Sequence, residues 1–305
     1  MTTVPPVPLT ADGPELSRII AGTMTWGEWG VDYNAAKMAE MIGHCLDLGI
    51  TTFDHADIYG HYSTEQTFGD ALAQLGSGHR DQLQLVSKCG IRLTTNRKPE
   101  NRLKSYDLTK DYLIASAEQS LRNLRTDYLD VFLLHRPSPL MDPTEVAEAF
   151  TTLRDAGKVR HFGVSNFTPS QFALLHQSFP LVTNQVECHP LHTDCLTDGT
   201  FDQLLALGIR PMIWSPLGGG KYFKGESTNV LRLRDAVRTV AEKYGNVGED
   251  VVLLAWLLRH PVGCLPVVGT TKRDRLGDTR LALDLQLDDQ DWFFILEAAR
   301  GHEVA

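Results

Sequence analysis

Four side chains that together could hand a proton to a substrate oxygen stand at the ends of strand-like runs. Asp54 and Tyr59 lie in Phe53-Asp54-His55-Ala56-Asp57-Ile58-Tyr59-Gly60, and Lys88 ends the run Leu83 to Lys88. His135 ends the strongly apolar run that begins at Tyr128, just before the breaker Pro137. A phenol, with a pKa of about 10, becomes a usable acid near neutral pH when a neighbouring cation lowers that value, and a carboxylate can keep the cation charged despite burial. The expectation is that Lys88 depresses the pKa of Tyr59 and that Asp54 holds Lys88 in place. Taken singly, each residue also reads as an ordinary ion pair, packing group or core hydrogen-bonding group. Their joint placement at strand ends is what points to chemistry.

Such residues need elements that bring strand ends together. Apolar runs alternate with helical periodicity along the chain, giving eight strands each followed by helix, the pattern of a parallel (β/α)8 TIM barrel with its site at the carboxyl ends of the strands. A length of 305 residues fits one such domain over 1–305, with 1–15 as an extended N-terminal arm. Helices are expected at about Ala35 to Leu48 and Thr64 to Leu75, and then from Leu113 to Leu124. Asp142-Pro143-Thr144-Glu145 reads as an N-cap, a first-turn proline and a capping-box acid, and Thr168-Pro169-Ser170-Gln171 repeats that signal. Lys272 to Leu283 and Asp288 to Arg300 close the chain as helices. The polar connection Arg92 to Asp107 is long for a barrel loop and reads either as a substrate lid or as a disordered surface excursion. A doubly wound open sheet is the competing fold, but no strand is followed by G-x-G-x-x-G.

At these residues the chain resembles the aldo-keto reductases. The pattern D-x-A-x-x-Y-G is matched by Asp54, Ala56, Tyr59 and Gly60, while Ser87 to Ile91 (S-K-C-G-I) and His135 to Pro139 (H-R-P-x-P) are similar to the bacterial YdhF-like branch. The resemblance spans nearly the whole chain and implies an NADPH-dependent reduction of aldehydes or ketones. Hydride would pass to the carbonyl carbon while Tyr59 protonates the oxygen. His135 would hydrogen-bond that oxygen or, if protonated, relay the proton. Ser165, Asn166 and Gln185 close the next two strands with groups suited to a carboxamide, and Trp214 could stack on a nicotinamide ring. The family holds the nicotinamide at these positions. Ser215-Pro216-Leu217-Gly218-Gly219-Gly220-Lys221 suits a pyrophosphate, with Ser215, Leu217 and Gly219 as contacts, although it is not a Walker A loop. By resemblance, Thr270, Lys272 and Arg275 would grip the 2'-phosphate at a helix start. Asp278 and Thr279 stand where the family usually has Glu or Gln and then Asn. Thr25 and Trp26 are expected to border the site, Trp26 as a wall of the substrate pocket.

Composition narrows the partners. A net charge of -9 argues against nucleic acid and anionic membrane surfaces, and the resemblance implies a small-molecule carbonyl as partner. No run approaches the roughly 18 apolar residues of a membrane span, and the first ten residues lack a signal-like pattern. Five cysteines without a C-x-x-C pair point to reduced thiols and a cytoplasmic protein. Cys188, His189, His192 and Cys195 match no common zinc spacing, so no metal is expected. Two other readings compete: a cofactor-bound sensor or interaction subunit with little turnover, and a barrel glycosidase using Asp54 and Glu187.

Overall fold

The computed structural model describes residues 3–76 and 78–305. Eight parallel strands close into a barrel: β1 (Ile20–Gly22), β2 (Thr52–Asp54), β3 (Gln84–Cys89), β4 (Leu129–Leu134), β5 (Val159–Ser165), β6 (Asn184–Glu187), β7 (Met212–Trp214) and β8 (Leu265–Val268). Each pairs with the next in sequence, and β8 pairs with β1 through Val267↔Ile20 and Val268↔Ala21. This is the (β/α)8 fold expected from the alternation.

Side chains along the strands divide between two apolar regions because successive residues point to opposite faces. Ile20, Val86, Val131, Leu133, Met212, Leu265 and Val267 fill the barrel interior, whereas Phe53, Leu85, Phe132, Leu134, Phe162 and Ile213 pack outward against the helices. Close packing leaves no room at Gly163 on β5, where an added Cβ would meet Thr183 O at 2.7 Å and Leu133 Cδ2 at 2.8 Å. The segment expected as an extended arm turns back on itself. Pro6–Pro8 pairs antiparallel with Glu15–Ser17, and the buried Leu9 and Leu16 join the interior cluster, flooring the barrel at the end opposite the tetrad. The drive is burial of those two leucines, roughly 2 kcal/mol each.

Helix starts follow the caps, with one exception. Asp142 caps Pro143–Asp155 by accepting from Thr144 N at 2.8 Å and Glu145 N at 3.4 Å. Glu145, however, does not complete a capping box. It accepts from Lys110 N at 2.9 Å and so caps the neighbouring helix Lys110–Leu124, a tertiary contact that outcompetes the local one. Thr168 and Gln171 do form the full reciprocal box. The helix expected over Lys272 to Leu283 is broken into Arg273–Asp278 and Leu281–Asp284. Gly277 and Asp278 are weak helix formers, and the Thr279 hydroxyl donates to Leu276 O at 2.7 Å. Among the described residues, no helix is long and apolar enough to cross a membrane.

Several buried histidines make stability depend on pH. Burial holds His55 down to about 3, with Lys88 adding to the effect, and burial also lowers His135, His161, His176, His189 and His260. Below about pH 6.5 the unfolded chain takes up protons that the fully buried His55 and His135 refuse when folded, so stability falls by up to about 1.4 kcal/mol per pH unit for each of these two rings, with smaller contributions from the partly exposed ones. Asp57 and Glu65, raised mainly by burial, act in the opposite sense but are fewer. The midpoint of thermal unfolding is therefore expected to drop between pH 7 and pH 5.5. A flat or rising midpoint would contradict the neutral buried rings.

Candidate active site

The carboxyl ends of β2, β3 and β4 bring Asp54, Lys88 and His135 together, and the turn after β2 adds Tyr59. Gly60, His61 and Tyr62 all adopt left-handed φ, of 57°, 54° and 72°. At Gly60 a Cβ would lie 2.6 Å from Thr64 Oγ1, so only glycine fits the turn that presents Tyr59. Lys88 is 1% exposed, and its ammonium donates to Asp54 Oδ2 at 2.7 Å, His55 O at 2.7 Å and Tyr59 OH at 3.1 Å. All three N–H donors are thereby used. Because Lys88 donates to the phenol oxygen, the Tyr59 hydroxyl proton is not spent on it. Asp54 is satisfied on both sides, its Oδ1 accepting from Gln185 Nε2 at 2.8 Å.

Electrostatics refine the expected roles. Burial alone would lower Lys88, but Asp54 and Tyr59 together outweigh it and leave its pKa raised, so the ammonium persists. For Tyr59 the outcome differs from the sequence expectation of a depressed pKa. Burial raises the phenol, and Lys88, although it pulls downward, does not reverse the shift. Tyr59 therefore stays protonated, the form an acid needs. His135 is held well below its usual range by burial and by Lys88, Arg136 and Lys104, so it is a neutral imidazole. Its ring meets Tyr59 edge-on at 6.0 Å between centroids.

A cleft of about 900 Å³ opens over this tetrad and runs along the carboxyl ends of β5 to β8. Asp54, Tyr59, His135, Thr25, Ser165, Gln185, Trp214, Ser215, Leu217, Gly219, Thr270, Lys272 and Arg275 all line it. Asn166 does not. It joins two residues that do, accepting from Trp214 Nε1 at 2.9 Å and donating to Ser165 Oγ at 2.7 Å. Asn166 and Ser215 both take left-handed φ, of 59° and 49°, local strain that the packing around the site sustains. Trp26, expected as a pocket wall, is instead 1% exposed and packs on Phe53 and Phe68 in the core. Trp29 is the pocket wall, edge-on to Tyr59 at 5.9 Å and donating to His61 Nε2 at 3.2 Å. Periodicity does not distinguish two tryptophans three residues apart in a loop; burial does.

The connection from Arg92 to Asp107 folds over one side of the cleft. Ile91–Arg92 pairs antiparallel with Ser105–Tyr106, and Leu93, Thr94, Thr95 and Lys104 line the opening. Arg97 ties this loop to the others, donating to Glu28 Oε2 at 2.7 Å and to the carbonyls of Gly60 and His61 at 3.2 Å. Arg136, Lys104 and Phe223 also border the cleft and were not singled out from sequence. Arg136 follows His135 directly, so a look one residue past the strand end would have found it. Glu187 bonds His189 Nε2 at 3.1 Å, and among the described residues no group of three or more His, Cys, Asp or Glu is arranged to hold a metal ion.

Comparison with known proteins agrees with this geometry. The oxidoreductase YdhF of Escherichia coli is 47% identical over 98% of this chain and 98% of its own. A 6-dehydroglucose reductase of Agrobacterium fabrum is 41% identical over 97% of this chain and 98% of its own. Among solved structures, the thermostable aldo-keto reductase Tm1743, crystallised with the inhibitor epalrestat, superposes with a TM-score of 0.80 at 25% identity, covering 96% of this chain and 99% of that one. A model of the aldo/keto reductase family matches residues 18–299, so that the barrel, the strand-end tetrad and nearly the full length of sequence converge. The chain belongs to the aldo/keto reductase family and is an NAD(P)H-dependent oxidoreductase.

Proposed function

We propose that the protein reduces aldehydes or ketones to alcohols with NADPH and that Tyr59 is the proton donor. The observation that carries this reading is the Lys88 ammonium, which donates to the Tyr59 oxygen at 3.1 Å while anchored on Asp54. A fixed cation at that oxygen favours the phenolate left after proton transfer without removing the proton beforehand. His135, being neutral, acts as the hydrogen-bonding group that orients the carbonyl oxygen rather than as a proton relay.

The cleft fits a dinucleotide. Near the tetrad, Ser165 and Gln185 offer a hydroxyl and an amide, and Trp214, held by Asn166, offers a flat aromatic surface. Ser215 to Gly220 follow as a turn, with Gly218, Gly219 and Gly220 at left-handed φ and Ser215, Leu217 and Gly219 lining the cleft. At the far end Lys272 and Arg275 form no ion pair among the described residues, and the guanidinium of Arg275 lies 5.6 Å from the Phe223 ring centroid. Unpaired cations there suit a phosphate. When bound, NADPH supplies the hydride. The chain positions the carbonyl carbon beside it and provides the proton. The glycosidase reading is disfavoured because both oxygens of Asp54 and one of Glu187 are engaged by other side chains.

Titrating the purified protein with NADPH and with NADH, followed by tryptophan fluorescence, tests the cofactor assignment. NADPH is expected to bind more tightly, and Arg275→Ala to weaken NADPH by about tenfold, the loss of one charge-assisted contact, with a much smaller effect on NADH. If neither nucleotide binds, the reading fails. A carbonyl screen then includes hydroxylated aldehydes, given the 6-dehydroglucose reductase among the relatives.

A further inference from the structure

Two cations at the mouth of the cleft have no partner that explains them. Arg136 is half-buried beside the tetrad, with its guanidinium 5.5 Å from the centroid of the Trp214 ring. It makes no ion pair or hydrogen bond among the described residues, and burial depresses its pKa. Lys104, exposed at the end of the loop that covers the opening, is also unpaired. The charges of both reach His135. Asp54 is engaged by Lys88 and Gln185, one oxygen of Glu187 by His189, and Glu28 by Arg97 and by His61 at 3.7 Å, while the charge of Glu187 reaches Arg136 without forming an ion pair with it.

A partly desolvated guanidinium with no ion-pair partner is costly, and a bound anion offsets that cost. Beside Lys104, the covering loop presents the hydroxyl residues Thr94 and Thr95 to the cleft, and no carboxylate of that loop lines it. A neutral polyol needs acceptors for its own hydroxyl protons as well as donors. Here the donors dominate. Resting on the reductase reading above, we infer that the substrates are oxoacids, carbonyl compounds carrying a carboxylate that Arg136 engages and Lys104 attracts, while the carbonyl lies at Tyr59 and His135. The carboxylate takes no part in bond making. Hydride adds to the carbonyl carbon, the C=O π pair takes the proton of Tyr59, and the product is the hydroxy acid.

The test compares kcat/KM, with NADPH, for 4-carboxybenzaldehyde, its neutral isostere 4-formylbenzamide and the hydroxyaldehyde glyceraldehyde. The wild-type enzyme is expected to favour the acid over the amide by about tenfold or more, the scale of one charge-assisted hydrogen bond, mainly through KM. The preference should shrink as salt is added. Arg136→Gln is expected to bring the acid-to-amide ratio close to one. Lys104→Gln, at an exposed site where folding is not at stake, should lower it in part. Equal use of acid and amide by the wild type, or preference for glyceraldehyde, overturns the inference and leaves the reductase reading standing. Weaker NADPH binding in Arg136→Gln with the acid preference intact would assign the cation to the cofactor phosphates and also overturn it. No turnover of any of the three aldehydes counts against both proposals.

Discussion

Replacing Tyr59 by phenylalanine is expected to lower kcat/KM for carbonyl reduction by about 10²- to 10⁴-fold, the usual contribution of a positioned general acid. The substitution removes one oxygen and keeps the ring that packs against Trp29 and His135. Lys88 loses one of its three acceptors but retains Asp54 and the carbonyl of His55, so the fold should survive at a cost of about 1 kcal/mol. NADPH binding should persist, because the proposed contacts along the cleft are untouched. The check is a pair of measurements, nucleotide affinity by fluorescence and steady-state reduction of an aldehyde. Undiminished reduction by the variant would remove Tyr59 from the proposed mechanism. The structure also makes a narrower claim, that the loss appears in kcat more than in KM, since the hydroxyl gives up its proton only as the alcohol forms.

The second large effect is expected at Lys88, and it separates stability from chemistry. Lys88→Met leaves the Asp54 carboxylate, 3% exposed, with Gln185 as its remaining side-chain partner. Breaking one side of a buried pair typically costs about 3–5 kcal/mol. A Lys88→Met/Asp54→Asn double variant should recover much of that stability, since a buried charge pair replaced by neutral groups is often close to neutral in free energy. It should not recover activity. Without the ammonium the strongest downward pull on the Tyr59 phenol is lost and only the weaker one of Arg136 remains, so the phenolate left by proton transfer is poorly supported. Denaturant unfolding and kinetics on the single and double variants decide the matter. Restored stability with restored turnover would make Lys88 a structural residue only.

The sequence alone carried the fold class and the tetrad, and for one physical reason. A parallel barrel places the carboxyl ends of all its strands on one face, so polar residues that end apolar runs must converge wherever the runs fall in the chain. That is why Asp54, Lys88 and His135 could be brought together across eighty residues of sequence, and why most of the cleft lining from Ser165 to Arg275 was legible. Local caps were readable too, as the full box at Thr168 and Gln171 demonstrates. What lay beyond the sequence were the choices between equivalent local options. Trp26 or Trp29 as pocket wall depended on which one the core helix and β2 could bury. Glu145 left its own capping box because the start of Lys110–Leu124 arrived within 2.9 Å. Asn166 came to hold Trp214 and Ser165, and the first residues formed a floor for the barrel because Leu9 and Leu16 found apolar space beneath it. The net shift on Tyr59 was decided in the same way. Strand-end position identifies the cation beside the phenol, but the opposing desolvation is a property of the packed site, and only tertiary structure determines how much water each group has lost.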